Sequence, residues 1–297
     1  MKVNPFLSEI FRGHWLLDHN SIENYYPIIE GLYNGKKMQF DSKYQPEPTA
    51  LQILDDRGNP LRSTSGQPLQ VPENSIAQVK MIGEIARYGD WCITGADEVV
   101  EQLDAAQSLS NVDATIFKID GPGGTVKAIG PFQDFAKNRK RKPIIGLVED
   151  ALSLHYWTAV SVCDYIIAAN DVSARFGSVG VVCSFRDNQE ALEKLGIKFH
   201  EIYPDESEHK NDVYKLARQG KYELIKTEQL SPMALKFQAG VRAGRPNLKE
   251  EIGVLTGKTF YADKALGLGM IDAIGGVDLA MEKARQFADQ YKIKSLI

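Results

Sequence analysis

Hydrophobic positions divide this chain into a sparse front and a dense, alternating remainder. Between residues 21 and 35, Ile22, Tyr25, Tyr26, Ile29 and Leu32 recur at helical spacing and predict an amphipathic helix. Residues 41 to 75 then gather Pro46, Pro48, Pro60, Pro68 and Pro72 among polar positions, which predicts loops. From Ser75 the pattern changes. Ile76 to Ile82 reads as a strand, and Gly95 to Leu109 as a helix carrying Val99, Val100 and Leu103. Ala114 to Ile119 reads as a short apolar strand ending in Asp120. After a glycine-rich turn come a helix through Phe135 and a buried strand over Pro143 to Val148. A helix over Leu154 to Val162 and a strand over Tyr165 to Ala169 follow. The last third is mainly helical, in Tyr222 to Val241, Ala262 to Leu268 and Leu279 to Tyr291. Such alternation marks an α/β fold with a largely parallel sheet. The chain therefore divides into an N-terminal arm or adaptor with a proline-rich loop, 1–75, and one large domain, 76–297.

Composition narrows the class. Of 297 residues, 43% are hydrophobic and 25% charged, which excludes a disordered tail, a collagen-like repeat and a coiled-coil rod. Thirty-five Lys and Arg against 39 Asp and Glu give a net charge of -4, so a nucleic-acid partner is not expected. The basic run Lys137-Asn138-Arg139-Lys140-Arg141-Lys142 closes a helix, where cations complement the helix dipole. Cys92, Cys163 and Cys183 are too few and too scattered for a disulfide framework or a zinc site. His14 and His19 lack metal-site partners, so neither metal nor cofactor is implied. No stretch reaches the roughly 18 apolar residues of a membrane span, and the first residues lack the apolar core of a secretory signal. The expectation is a soluble protein of a reducing, cytoplasmic compartment.

Two turns occupy the carboxyl ends of predicted strands, where open α/β folds bind ligands. The first, Gly121-Pro122-Gly123-Gly124-Thr125, can point backbone N–H groups at an anion or oxyanion. It also reads simply as a tight connection, and it lacks the Gly-Lys-Ser/Thr of a phosphate loop. In the second, Ser153 precedes a helix just beyond a buried strand. It reads either as an N-cap or as a nucleophile whose oxyanion would face the helix N-terminus. His155 is a poor base for it, because positions i and i+2 of a helix do not face one another. His155 either lines a cleft or packs.

The order G-P-G-G, A-L-S-L-H-Y-W, A-R-F-G-S-V-G-V-V, L-E-K-L-G-I and I-Y-P-D-E-S-E-H-K resembles the Ser-Lys peptidases related to signal peptide peptidase A (protease IV). Within them the likeness is greatest to bacteriophage head-maturation, or capsid, proteases. The late segment G-K-T-F-Y-A-D-K-A-L-G-L-G-M-I-D is similar to that family's closing motif. The resemblance implies a ClpP/crotonase-like fold with a helical C-terminal part. By motif position it implies Ser153 as nucleophile, Lys210 as base and Ser178 as the serine that hydrogen-bonds the lysine. It further implies an oxyanion hole from the N–H groups of Gly123 and Leu154, with Gly124 and His155 against the substrate. The implied reaction is peptide hydrolysis through an acyl-enzyme, with scaffold or capsid protein as substrate. The implied setting is a homo-oligomer in the host cytoplasm or phage prohead. A soluble peptide-degrading relative of signal peptide peptidase, and an inactive assembly member of the family, are the other readings.

Three departures from the family pattern carry chemistry. S-L-H-Y stands for the usual S-G-G-Y, placing Leu154 and His155 where small residues are the rule. Gly121 stands for the usual serine of S-P-G-G. Lys210 lies among Glu206, Glu208 and Asp212, and carboxylates raise an ammonium pKa already near ~10.4. In an extended segment Glu208 and Asp212 would share Lys210's face and His209 would point away. His209 is the alternative base, needing no pKa depression.

Overall fold

The computed structural model of the protein describes residues 14–17, 51–62, 69–89, 93–185 and 187–294. The helix expected over 21–35 lies outside these residues, as do His19, Pro46, Pro48, Pro68 and Cys92.

The first described strands are β1 (His14–Leu17), β2 (Gln52–Leu54) and β3 (Ser75–Ile82). Two short strands, β4 (Ile85–Ala86) and β5 (Thr94–Gly95), lead into α1 (Ala96–Ser108). The expected turn over Gly121–Thr125 is corrected: Gly121 ends β6 (Val112–Gly121), Gly123–Thr125 forms a further strand, β7, paired in a second sheet, and only Pro122 lies between them. Then come α2 (Ile129–Asn138), β8 (Ile144–Leu152), α3 (Leu154–Val162) and β9 (Tyr165–Ala168). Strands β10 (Arg175–Gly177) and β11 (Val182–Cys183) precede short helices α4 (Gln189–Lys194), α5 (Asp212–Arg218) and α6 (Glu223–Ile225). A π-helical stretch, Lys226–Leu230, joins α6 to α7 (Ser231–Gly244). The chain closes with β12 (Thr259–Tyr261), α8 (Ala262–Gly267), β13 (Ala273–Ile274) and α9 (Val277–Lys294).

Strands β3, β6 and β8 lie parallel at the centre of the larger sheet, with β2 and β12 antiparallel at its edges. Both faces are covered, which explains their near-continuous apolar sequences. Helices α1, α2, α3 and α7 pack on one face, where Val79, Phe117, Ile119 and Val148 join Leu103, Phe132, Trp157 and Phe237. On the other face α9 lays Ala280, Met281, Ala284 and Ala288 against Ile76, Ile116, Ile145 and Ile167. The expected loop over 41–75 is corrected by β2, whose Ile53 and Leu54 are buried beside β3. Tertiary packing of two apolar side chains outweighs the local proline signal there.

Strand β8 is shared between two partners in succession. Its first half pairs with β9, and its last three residues pair with β10, Leu152 opposite Gly177. The exchange occurs where Asn170 Oδ1 accepts hydrogen bonds from the N–H groups of Val172 and Ser173, turning the chain out of β9. The basic run after α2 serves helix ends as expected, but those of its neighbours. Lys142 Nζ donates to Leu109 O beyond α1, and Lys140 Nζ donates to Val162 O at the end of α3.

A smaller sheet, ordered β11-β1-β7-β4-β5, stands at the carboxyl end of the central strands. It carries the glycine-rich segment that follows β6.

Candidate active site

Ser153 sits at the junction between β8 and α3 with φ +53° and ψ -114°. A left-handed φ costs a non-glycine residue about 1–3 kcal/mol, so the surroundings must impose it. They do so through the backbone. Ser153 N–H donates to Gly177 O at 2.8 Å, and Ser153 O accepts from Trp157 N–H at 3.0 Å, closing the first turn of α3. The ordinary N-cap is extended, and its hydroxyl bonds an amide one turn on. Ser153 is not extended, and its hydroxyl makes no capping bond. The side chain is 1% exposed. Position before a helix thus does not explain this serine as a cap.

The other sequence-expected groups lie around it unevenly. Gly124 pairs with Ile85 of β4, and a β-carbon there would stand 1.9 Å from Ile85 O and 2.8 Å from Leu154 Cδ2. The glycine-rich strand therefore lies against the first residue of α3. Gly123, at φ +121°, adopts a conformation that favours glycine. Ser178 follows the acceptor Gly177, has φ +53° itself, and donates its N–H to Lys258 O at 2.8 Å.

His155 is fully buried, and its ring fills the space beside Gly121. A β-carbon at position 121 would stand 2.4 Å from His155 Nε2 and 2.5 Å from Gly83 O. The two departures of sequence are thus one event in space: a side chain is absent at 121 where an imidazole has arrived from 155. Desolvation pushes the His155 pKa down to about 3, which the neighbouring Gly83 backbone offsets only in part. The ring is neutral, and among the described residues neither nitrogen has a hydrogen-bond partner of normal geometry.

Lys210 stands apart. It is exposed in a turn between Asp205–Ser207 and α5, its N–H donating to Ser207 O at 3.0 Å. Among the described residues no hydrogen bond or ion pair joins its ammonium to Ser153 or to any carboxylate. The extended-segment expectation for 205–212 is corrected. The segment is a 3₁₀ turn running into a helix, so neighbours come at i+3 rather than i+2. His209, not Lys210, receives the acid: its ring nitrogens lie 3.2 Å from Glu208 Oε1 and 3.1 Å from Asp212 Oδ2.

Sequence reasoning missed Gly83 and Gly177, whose carbonyls face His155 and Ser153. Gly177 stood in the A-R-F-G-S-V-G-V-V motif without being assigned a role, and Gly83 showed only as a glycine beside a strand end. Among the described residues, no three His, Cys, Asp or Glu side chains gather as a metal ion would require. No helix among them is long and apolar enough to cross a membrane.

Several known proteins are similar to this chain. Protease 4 of Haemophilus influenzae is 28% identical over 222 residues, which is 73% of this chain but 35% of that protein's length. Among solved structures, a serine-to-alanine mutant of the 1510-N membrane-bound stomatin-specific protease is similar, with a TM-score of 0.45 and 14% identity. The match covers 70% of this chain and 81% of that one. An enoyl-CoA hydratase from Mycobacterium marinum is similar with a TM-score of 0.41 and 14% identity, over 73% of this chain and 80% of that one. The model of peptidase family S49 matches residues 136–291, just over half of the chain, from the end of α2 through β8, Ser153 and Ser178 into α9. The chain belongs to peptidase family S49.

Proposed function

We propose that this S49 member is a serine endopeptidase with Ser153 as nucleophile. The observation that carries the reading is the left-handed, uncapping Ser153 at a strand-to-helix junction, against a glycine strand. A serine held this way keeps its hydroxyl free of the helix, and a carbonyl attacked there develops its oxyanion near the Gly123 and Leu154 N–H groups. One such donor is worth about 10²- to 10³-fold in rate. Lys210 takes the hydroxyl proton and returns it to the leaving amine, and Ser178 holds the lysine. Gly124 and His155 bound the substrate. Lys210 is exposed in the single chain, so it acts as base only once buried against Ser153 in a working homo-oligomer. The substrate is polypeptide, a scaffold or capsid protein of phage head assembly.

The exposed Lys210 also favours a second reading, an inactive assembly member that keeps the fold. One experiment separates them. The chain is co-expressed with its neighbouring capsid and scaffold genes, beside Ser153→Ala, Lys210→Ala and His209→Ala variants, and labelled with a serine-directed fluorophosphonate. Cleavage and labelling are expected in the wild type, and loss of both by about 10³-fold or more in Ser153→Ala. Loss in Lys210→Ala with activity kept in His209→Ala assigns the base. A wild type that neither cuts nor labels establishes the inactive reading.

A further inference from the structure

Strand β1 comes from the N-terminal arm, yet it lies inside the smaller sheet with a neighbour on each side. On one side it runs antiparallel to β7, with Trp15 opposite Thr125, Leu16 opposite Gly124 and Leu17 opposite Gly123. On the other it runs antiparallel to β11, with His14 opposite Cys183 and Trp15 opposite Val182. One wall carries residues of the candidate site, and the other follows closely on one. Strand β7 is the glycine strand beside Leu154, and β11 begins four residues after Ser178. Without β1, the two walls would face each other as unpaired edges one strand apart, and such edges recruit an extended chain.

We propose that the space between β7 and β11 is a strand-binding slot for an extended polypeptide segment, and that β1 is its resident occupant, a stand-in for substrate that must leave before substrate enters. This rests on the peptidase reading above and names the substrate's conformation and the arm's regulatory role. The register states the specificity. The residue at Leu17's place lies opposite Gly123, the candidate oxyanion donor. Leu16 is fully buried in the main core beside Gly124, so a substrate must bring an apolar side chain to that place. Burial of one leucine corresponds to about 10- to 100-fold in an equilibrium constant, which sets the scale of the inhibition β1 imposes.

The pair His14 and Cys183 supplies the test. Residues directly opposite in an antiparallel ladder have Cα atoms about 4.5–5.5 Å apart, within the range a disulfide spans. In a Cys92→Ser background, His14→Cys staples β1 into the slot on oxidation and frees it on reduction. A fluorescent peptide with the sequence of residues 10–20 is the probe, and it is titrated against the Ser153→Ala form so that nothing is cut. The reduced chain is expected to bind the peptide at least tenfold more tightly than the oxidised chain. A Leu16→Asp version of the peptide should bind at least tenfold more weakly than the parent peptide. In the Ser153 form, cleavage of unfolded casein should fall by the same factor on oxidation and return with reductant. Equal binding by oxidised and reduced chains overturns the proposal, and so does casein cleavage indifferent to the staple. A chain lacking residues 1–20 should bind the peptide without any redox dependence, but the stapled pair decides the matter even if that chain does not fold. The peptidase reading fails differently: peptide binding then obeys the staple, while Ser153 is neither labelled nor needed for cleavage.

Discussion

At the scale of single residues, the region around Ser153 holds two groups in costly states. Ser153 has a left-handed φ, and His155 has a buried imidazole that, among the described residues, has no hydrogen-bond partner of normal geometry. Gly121 makes the second possible. Restoring a side chain with Gly121→Ser drives a β-carbon into His155 Nε2 and the Gly83 carbonyl. Overpacking of this kind costs about 1–3 kcal/mol, and it displaces the strand that leads to Gly123. His155→Gly alone leaves a cavity, but in the double variant the serine occupies part of it. The two changes should therefore be non-additive by about 1 kcal/mol or more, the double variant being more stable than the sum of the singles. Urea unfolding of the four proteins measures this, and additivity within error would show that the ring and position 121 do not compete for space. The sequence alone revealed both departures at 121 and 155 but not their link, because residues 34 apart meet only through the β6–β8 pairing of Gly121 with Ala151.

Among elements, the floor beneath Ser153 depends on how closely α7 approaches α3. Gly240 and Gly244 lie one turn apart on α7. A β-carbon at 240 would stand 2.4 Å from Trp157 Nε1, and one at 244 would stand 2.3 Å from Val160 O. Beside them Phe237 stacks on Trp157, ring centroids 4.7 Å apart. Alanine is a better helix former than glycine by about 1 kcal/mol, so propensity alone predicts that Gly244→Ala stabilises. The contact at 244 is with backbone, which cannot swing aside, and the clash should win. Gly244→Ala is expected to destabilise by about 1–2 kcal/mol net, read as a lower urea midpoint at unchanged slope. A raised midpoint would mean the helices are not held this close. The long elements were legible because their patterns are long: β3, β6 and β8 are apolar runs, and α3 spans the residues its pattern marks. Strands of two or three residues, such as β4, β5, β11 and β13, are too short for any period. The stretch 205–212 was misread as extended because charge patterns on an exposed segment do not distinguish turn from strand.

For the whole molecule, stability should have a plateau with two limbs, each set by a group that the fold keeps neutral. His155 has a folded pKa of about 3 against 6.5 when exposed. Between these values the unfolded chain binds a proton that the folded chain refuses, so stability falls as pH drops below about 6.5. The slope is at most about 1.4 kcal/mol per pH unit. Asp120 works against it. Desolvation first, then Asp150 and Glu149, raise its carboxyl pKa, so protonating it on acidification relieves the folded state. The alkaline limb has the opposite sign. Burial pushes the Cys163 thiol up to about 12 from 9.0, so above pH 9 the unfolded chain loses a proton that the folded chain retains. Tyr156, whose hydroxyl donates to Met270 O at 3.0 Å, is also raised by burial and steepens the fall above pH 10. Urea midpoints measured from pH 4 to 10.5 should therefore be flat between about 6.5 and 9 and decline on both sides. His155→Gln should flatten the acid limb alone, and Cys163→Ala should weaken the first part of the alkaline limb alone, the remainder there coming from Cys183, whose thiol burial also raises. The assignment rests on that separation, since a fold destabilised merely by its net charge would lose both limbs or neither. If each variant flattens its own side, the neutral His155 beside Gly121 is a property of the native packing that holds Ser153, measurable whether or not the serine has a substrate.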